Sequence, residues 1–152
     1  MFKKYTINFD LDDPRASLAH RTIILEKPFL KRLYTEWYQQ FISVSKSVGK
    51  GMYLEIGSGG GFLKDVFPEV VTSDILDLPV VDKIFSAEEM PYQENELGSI
   101  MMLNVFHHIP RPYLFLKEAQ RTLIKGGKII MIEPANSNLG RFIYKRFHHE
   151  PF

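Results

Sequence analysis

Tyr53-Leu54-Glu55-Ile56 runs directly into Gly57-Ser58-Gly59-Gly60-Gly61, which places four glycines within five positions at the end of an apolar segment. Without a Cβ, glycine lets a backbone turn sharply or come close to a ligand. A strand that ends in such a loop and leads into a helix builds a site for a nucleotide-type cofactor at the helix start. The feature therefore restricts the chain to α/β architectures and makes the identity of the cofactor the main question.

The rest of the chain reads consistently with that restriction. Residues 1–51 form a helical lead-in. Asp13-Pro14 is a cap followed by proline at the first helical position, and it predicts a helix over 14–26 that Lys27-Pro28 interrupts. A second helix is predicted from Pro28 to Val48. Phe29, Leu30, Leu33, Trp37, Tyr38, Phe41 and Ile42 recur there at helical spacing, and Gly49 and Gly51 end it. From Met52 the texture becomes α/β. Strands are predicted at 52–56, at 70–73 ending in Asp74, at 83–85, at 100–105 and at 128–132. Helices are predicted at 62–67, 112–124 and, basic in character, 139–147. Strands alternating with helices imply a Rossmann-like, doubly wound parallel sheet of about five strands, in the order 3-2-1-4-5. Too few residues separate the second and third strands for a full crossover helix, so an extended loop is expected between them.

Two common glycine signatures fail. In the dinucleotide fingerprint G-x-G-x-x-G, Phe62 stands where the third glycine belongs counting from Gly57, and Lys64 stands there counting from Gly59. No G-K-[ST] follows, which removes the phosphate-binding P-loop. This disfavours a nicotinamide-dependent oxidoreductase. What remains is E-x-G-x-G-x-G over Glu55, Gly57, Gly59 and Gly61, which suits a small zwitterionic tail and a ribose.

Five segments in order then resemble the class I S-adenosylmethionine-dependent methyltransferases, in particular the small-molecule type called type 11. They are Leu54 to Gly61, Ser73-Asp74-Ile75, Ala87-Glu88-Glu89-Met90-Pro91-Tyr92, Asn104-Val105-Phe106-His107-His108-Ile109-Pro110, and Leu123 to Lys128 followed by Ile132-Glu133-Pro134. The resemblance covers roughly residues 52–134. It implies S-adenosylmethionine as cofactor, S-adenosylhomocysteine as product, and methyl transfer to a small-molecule acceptor, with a sugar or a lipid-linked precursor as candidate classes. It implies that Gly57, Ser58, Gly59 and Gly61 line the methionine portion and that Glu55 attracts its ammonium. Asp74 would accept both ribose hydroxyls, Ile75 would pack on the adenine, and Ala87 and Glu88 would border the adenine edge. The Asn104 backbone would close the pocket under the methionine tail. The chain departs from the family at Ser86, where an aspartate is usual, so adenine recognition is expected to lean on Glu88 or on backbone.

Of the histidine pair, His107 is the candidate general base, because histidine titrates near neutrality. His108 is expected to pack under the helix that starts near Pro112. Adjacent histidines are expected to point apart, and no metal site is expected. Tyr34, Trp37, Tyr38 and Phe41 share one helical face and read as core, with Tyr34 or Tyr38 as candidates to cover the cofactor. The basic set Arg141, Lys145, Arg146, His148 and His149 reads as a solvated face, or alternatively as a contact for an anionic substrate.

The family fold carries two further strands after the fifth. Only twenty residues follow Ile132 here, so residues 52–152 are expected to form a core lacking those last two strands. Two expectations follow: a cofactor-binding remnant without turnover is the alternative to an active enzyme, and a homodimer is the candidate cover for the 128–132 edge. A net charge of +1 gives no case for nucleic acid. The lack of cysteine excludes disulfides and thiolate chemistry. No apolar run is long enough to span a bilayer, and the N-terminus has no signal-peptide pattern, so the expected location is cytoplasmic.

Overall fold

A computed structural model describes residues 13–135 of the 152-residue chain. The predicted 139–147 helix and the basic cluster around it lie outside the described residues.

Helix α1 (Pro14–Glu26) begins where the Asp13 side chain accepts from the Arg15 N–H at 2.8 Å. This satisfies one of the helix's orphan donors. Helix α2 (Pro28–Lys46) follows after a single extended residue, Lys27. The core elements are β1 (Met52–Ile56), α3 (Leu63–Val66), β2 (Val70–Asp74), β3 (Lys83–Ile84), β4 (Leu97–Leu103), α4 (Pro112–Thr122) and β5 (Leu123–Ile132). A short 3₁₀ turn, Phe106–His108, connects β4 to α4. The five strands form one parallel sheet in the order β3-β2-β1-β4-β5, the predicted Rossmann-like arrangement. No helix lies between β2 and β3. Among the described residues, no helix is long and apolar enough to cross a membrane.

Side chains alternate across a strand, so one sheet has two faces to bury. Leu54, Ile56, Ile100 and Met102 point to the face covered by Phe115 and Ala119 of α4. Val70 and Met101 point to the other, against Tyr38 and Phe41 of α2 and Leu63 and Phe67 beside α3. The polar residues on this second face are paired. Ser99 Oγ donates to Ser45 Oγ at 2.7 Å, which links β4 to α2 within the core. The N-terminal helices are thus packed onto the sheet and share its core.

Two boundaries differ from expectation. β4 starts at Leu97 and ends at Leu103, whereas the sequence predicts 100–105. Gly98 and Ser99 have turn character locally, but parallel pairing of Leu97 with Met52 and of Ser99 with Tyr53 brings them into the sheet. The helix predicted over 112–124 stops at Thr122, and β5 begins at once. Leu123 takes an extended conformation and pairs with Leu97. The next pairing is Ser99 with Lys128, so residues 124–127 bulge out of the ladder. Periodicity could not separate these options, since Leu123-Ile124 fits a buried helix end as well as a strand.

Candidate functional site

The strand order reverses at β1, the switch point of an open parallel sheet, where ligands bind beyond the strand C-termini. A cavity of about 760 Å³ opens there. Glu55, Gly57, Ser58, Gly59, Gly61, Asp74, Ile75, Ala87, Glu88 and Asn104 all line it, although they come from four separate segments of the chain. Its size falls within the range of about 300–1,000 Å³ that holds small molecules and cofactors.

The glycine loop is shaped by its own backbone. Gly57 has φ +65°, and a Cβ there would lie 2.5 Å from a methyl of Val105 in the loop after β4. The Ser58 N–H donates to Ser73 O at 2.9 Å, and Ser73 Oγ donates to Glu55 O at 2.8 Å, tying the end of β1 to the end of β2. Asp74 is held by two backbone donors, Gly59 N–H on Oδ2 at 2.8 Å and Leu76 N–H on Oδ1 at 3.0 Å. A carboxylate oxygen accepts at about two positions, so each oxygen of Asp74 keeps one for a ligand.

Glu55 lies beneath the loop, only 3% exposed. Its carboxylate accepts from Ser58 Oγ at 2.7 Å. Burial pushes its pKa up to about 7 from the usual 4.5; the Ser58 hydrogen bond lowers it, nearby Asp74 raises it, and Arg21 lowers it. A second, smaller cavity of about 140 Å³, lined by Arg21, Ser58, Lys64 and Thr72 among others, reaches Glu55 from behind the loop. A buried carboxylate in this setting is suited to a ligand cation, which would favour its charged form.

The helical lead-in supplies the roof. Ser17, His20, Ile23 and Ile24 of α1 line the cavity. The backbone of α1 sits on the glycine loop so closely that a Cβ on Gly60 would lie 2.6 Å from Ser17 O. Arg21 fastens this contact by donating to Gly61 O and pairing with Asp65 at 2.7 Å. Tyr34 and Tyr38 of α2 also line the cavity. The Tyr38 hydroxyl accepts from the Phe62 N–H at 3.1 Å, and burial pushes its phenol pKa up.

The opposite wall is formed by Ser86, Ala87 and Glu88 and by Asn104, Val105, His108, Ile109 and Pro110. Ser86 Oγ accepts from the Glu88 N–H at 3.2 Å. The Glu88 carboxylate is engaged by Arg111, with guanidinium contacts of 2.5 and 2.9 Å that hold its pKa below the usual carboxylate range. Asn104 adopts φ +57°, a conformation that asparagine tolerates better than most residues and that turns the chain out of β4.

The histidine pair departs from expectation. His107 is not among the cavity residues; its Nδ1 lies 2.5 Å from a Glu133 carboxylate oxygen. His108 lines the cavity instead. The two rings do not point apart; their centroids lie 4.0 Å apart with the planes tilted by 43°. A 3₁₀ turn has about three residues per revolution, so adjacent side chains on it diverge less than along a strand. No group of three or more metal-type side chains is found among the described residues.

A family model described as a methyltransferase domain matches residues 54–131, half of the chain. The chain belongs to this methyltransferase domain family. A curated relative, an uncharacterized protein of Methanocaldococcus jannaschii, is 26% identical over 136 aligned residues. The match covers 78% of this chain and 66% of the relative, so the chain spans slightly less than two thirds of that protein's length. Solved structures share the fold. A protein of Methanococcus maripaludis assigned to the S-adenosylmethionine-dependent methyltransferases matches with TM-score 0.62 and 16% identity, covering 93% of this chain and 75% of that one. A SAM-dependent methyltransferase of Aquifex aeolicus matches with TM-score 0.56 and 19% identity, covering 83% and 75%. One from Thermotoga maritima matches with TM-score 0.54 and 24% identity, covering 75% and 63%.

Within this methyltransferase domain, sequence reasoning did not anticipate Ser17, His20 and Ile23 in the cavity or Arg21 on the glycine loop. Nothing local marks them, because their role arises only when α1 packs across the loop. Glu133 was visible in the Glu133-Pro134 segment but carried no assigned role.

Proposed function

We propose that the cavity binds S-adenosylmethionine and that the chain acts as a methyltransferase on a small-molecule acceptor. The carrying observation is the pair of buried acids flanking the glycine loop. Asp74 has both oxygens fixed by backbone N–H groups with acceptor positions to spare for a vicinal diol, and Glu55 lies beneath the loop where a cationic group would favour its ionised form. Gly57, Ser58, Gly59 and Gly61 give the amino-acid tail backbone to lie against. Ile75, Ala87 and Glu88 border the adenine, with the Ser86 hydroxyl in the position where the family usually has an aspartate. The Asn104 backbone closes the tail end.

The cofactor supplies an activated methyl group on a sulfonium. The chain's own work is to bind, align and exclude water. Helix α1, the aromatic face of α2 and the loop after β4 enclose the space that remains for an acceptor. Of the two histidines that line the cavity, His20 on α1 and His108, His108 on the loop after β4 is the candidate to accept a proton from an acceptor hydroxyl.

Isothermal titration calorimetry tests this reading. S-adenosylmethionine and S-adenosylhomocysteine are expected to bind, and NAD is not. Hydrogen bonds to a charged group are worth about 1.5–3 kcal/mol, so Asp74→Ala is expected to weaken binding about ten- to a hundredfold. Binding of NAD in preference, or unchanged affinity in the variant, would contradict the assignment.

A further inference from the structure

In the wall formed by residues 104–110, the His108 N–H donates to Val105 O at 2.9 Å and the Ile109 N–H to Phe106 O at 3.2 Å, which closes the 3₁₀ turn but leaves its first N–H groups to other partners. The wall is also held from the neighbouring strand. Leu103 pairs with Ile132, and the Asn104 N–H donates to Ile132 O at 2.8 Å, so the chain leaving β4 and the chain leaving β5 run side by side. Glu133 is the first residue beyond that ladder. Its Oε1 accepts from the N–H groups of both Val105 and Phe106, each at 2.9 Å. Its Oε2 lies 2.5 Å from His107 Nδ1. The backbone donors at the start of the 3₁₀ turn would otherwise lack partners in the fold.

Each of these contacts leads to the cavity. Val105 packs directly on Gly57, so its placement sets how the glycine loop meets this wall. His107, fixed by Glu133, lies in tilted ring contact with His108, which lines the cavity. Asn104, immediately before the clamped residues, has the positive φ that turns the chain. We infer that Glu133 is a positioning residue: through Val105, Phe106 and His107 it sets the wall against which the amino-acid tail of the cofactor and the acceptor are held. Glu133 itself does not line the cavity. The inference rests on the proposed S-adenosylmethionine reading, since that reading places the tail against this wall and the adenosine against Asp74.

The test uses two ligands that share the adenosine: S-adenosylmethionine, and 5′-methylthioadenosine, a neutral thioether that lacks the amino-acid portion. Affinities are measured by calorimetry on the full chain, with thermal unfolding recorded for each variant. Glu133→Ala is expected to weaken S-adenosylmethionine at least tenfold while leaving 5′-methylthioadenosine within twofold. Glu133→Gln keeps one oxygen for the two backbone donors and is expected to restore S-adenosylmethionine binding to within threefold of the parent. If the alanine variant does not fold, Glu133→Asp, which draws the oxygens back by one methylene, is read by the same pair of ligands with the same expected selectivity. A general loss of stability would weaken both ligands together. That outcome, or unchanged affinity for both, would overturn the positioning role. A parent chain that binds neither ligand would fail at the cofactor reading itself, a result distinct from any variant effect.

Discussion

The two walls of the cavity are built in different ways. The glycine-loop wall is assembled from neighbouring backbone: Gly59 N–H and Leu76 N–H hold Asp74, and Ser58 and Ser73 tie the ends of β1 and β2 together. The wall after β4 has a backbone tie to Ile132 and its own turn bonds, and its first residues are clamped by one side chain, Glu133, reaching over from the end of β5. A wall made largely of backbone tolerates few side-chain changes at its glycines, and Arg21 and Tyr38 add contacts to it from the lead-in helices. A clamp made by one carboxylate can be released by one substitution.

The sharpest way to break the comparison is at Gly57. A valine there would need a positive φ that β-branched residues rarely adopt, and its Cβ would press on Val105. Strain of about 1–3 kcal/mol on top of lost complementarity predicts that Gly57→Val weakens S-adenosylmethionine about a hundredfold by calorimetry. Equal tolerance of valine at Gly57 and at an exposed position would mean that the loop is not built around its backbone.

Glu55 provides the next test, and its two effects run in opposite directions. In the folded chain its pKa is raised to about 7, against 4.5 for an ordinary glutamate carboxyl. A raised folded pKa means that the native state binds the proton more tightly. The stability this contributes is fully present below about pH 4.5 and is lost as pH rises through about 7. Glu55→Gln removes that loss, so at pH 8 the ligand-free variant is expected to be more stable than the parent, by up to about 3 kcal/mol in denaturant unfolding. Cofactor binding should respond the other way. A bound ammonium favours the ionised form, so parental affinity for S-adenosylmethionine is expected to rise about fivefold between roughly pH 6 and 7.5, with proton release. In Glu55→Gln that rise disappears. The charged groups around Glu55 are Asp74 on β2 and Arg21 on α1, with the Tyr38 phenol on α2. A pH profile equally steep in the variant would assign the titration elsewhere.

The smallest effect is expected at Arg111. Its ion pair with Glu88 leaves the guanidinium side chain 61% exposed, and an ion pair that water screens contributes little. Arg111→Ala is expected to shift thermal unfolding only slightly and to change cofactor affinity less than twofold. A tenfold loss would show that the Glu88 pairing shapes the adenine edge.

The same contrast explains what was legible in the sequence. The strand order, the glycine loop and Asp74 could be read because each is coded by a short segment whose chemistry is local. A strand end, a loop and an acid sit within a few residues of the feature they create. The missed residues act across long separations. Arg21 reaches Gly61, and Glu133 reaches Val105, only after helices and strands have packed. The placement of the histidines differs from expectation for the same reason: which ring of the His107-His108 pair meets the cavity depends on a 3₁₀ turn and on Glu133, and neither is visible in the dipeptide. The boundary of β5 was misplaced because Leu123-Ile124 suits a helix end and a strand equally, and pairing with Leu97 decides it.

The central claim is that Asp74 and Glu55 hold the two polar ends of one S-adenosyl ligand across the glycine loop. A crystal structure of the full chain with S-adenosylhomocysteine tests it most directly. Both ribose hydroxyls are expected within hydrogen-bond distance of the Asp74 carboxylate, and the amino group on the Glu55 side of the loop. A ligand bound with its ribose away from Asp74, or outside the cavity between the glycine loop and the wall after β4, would contradict it.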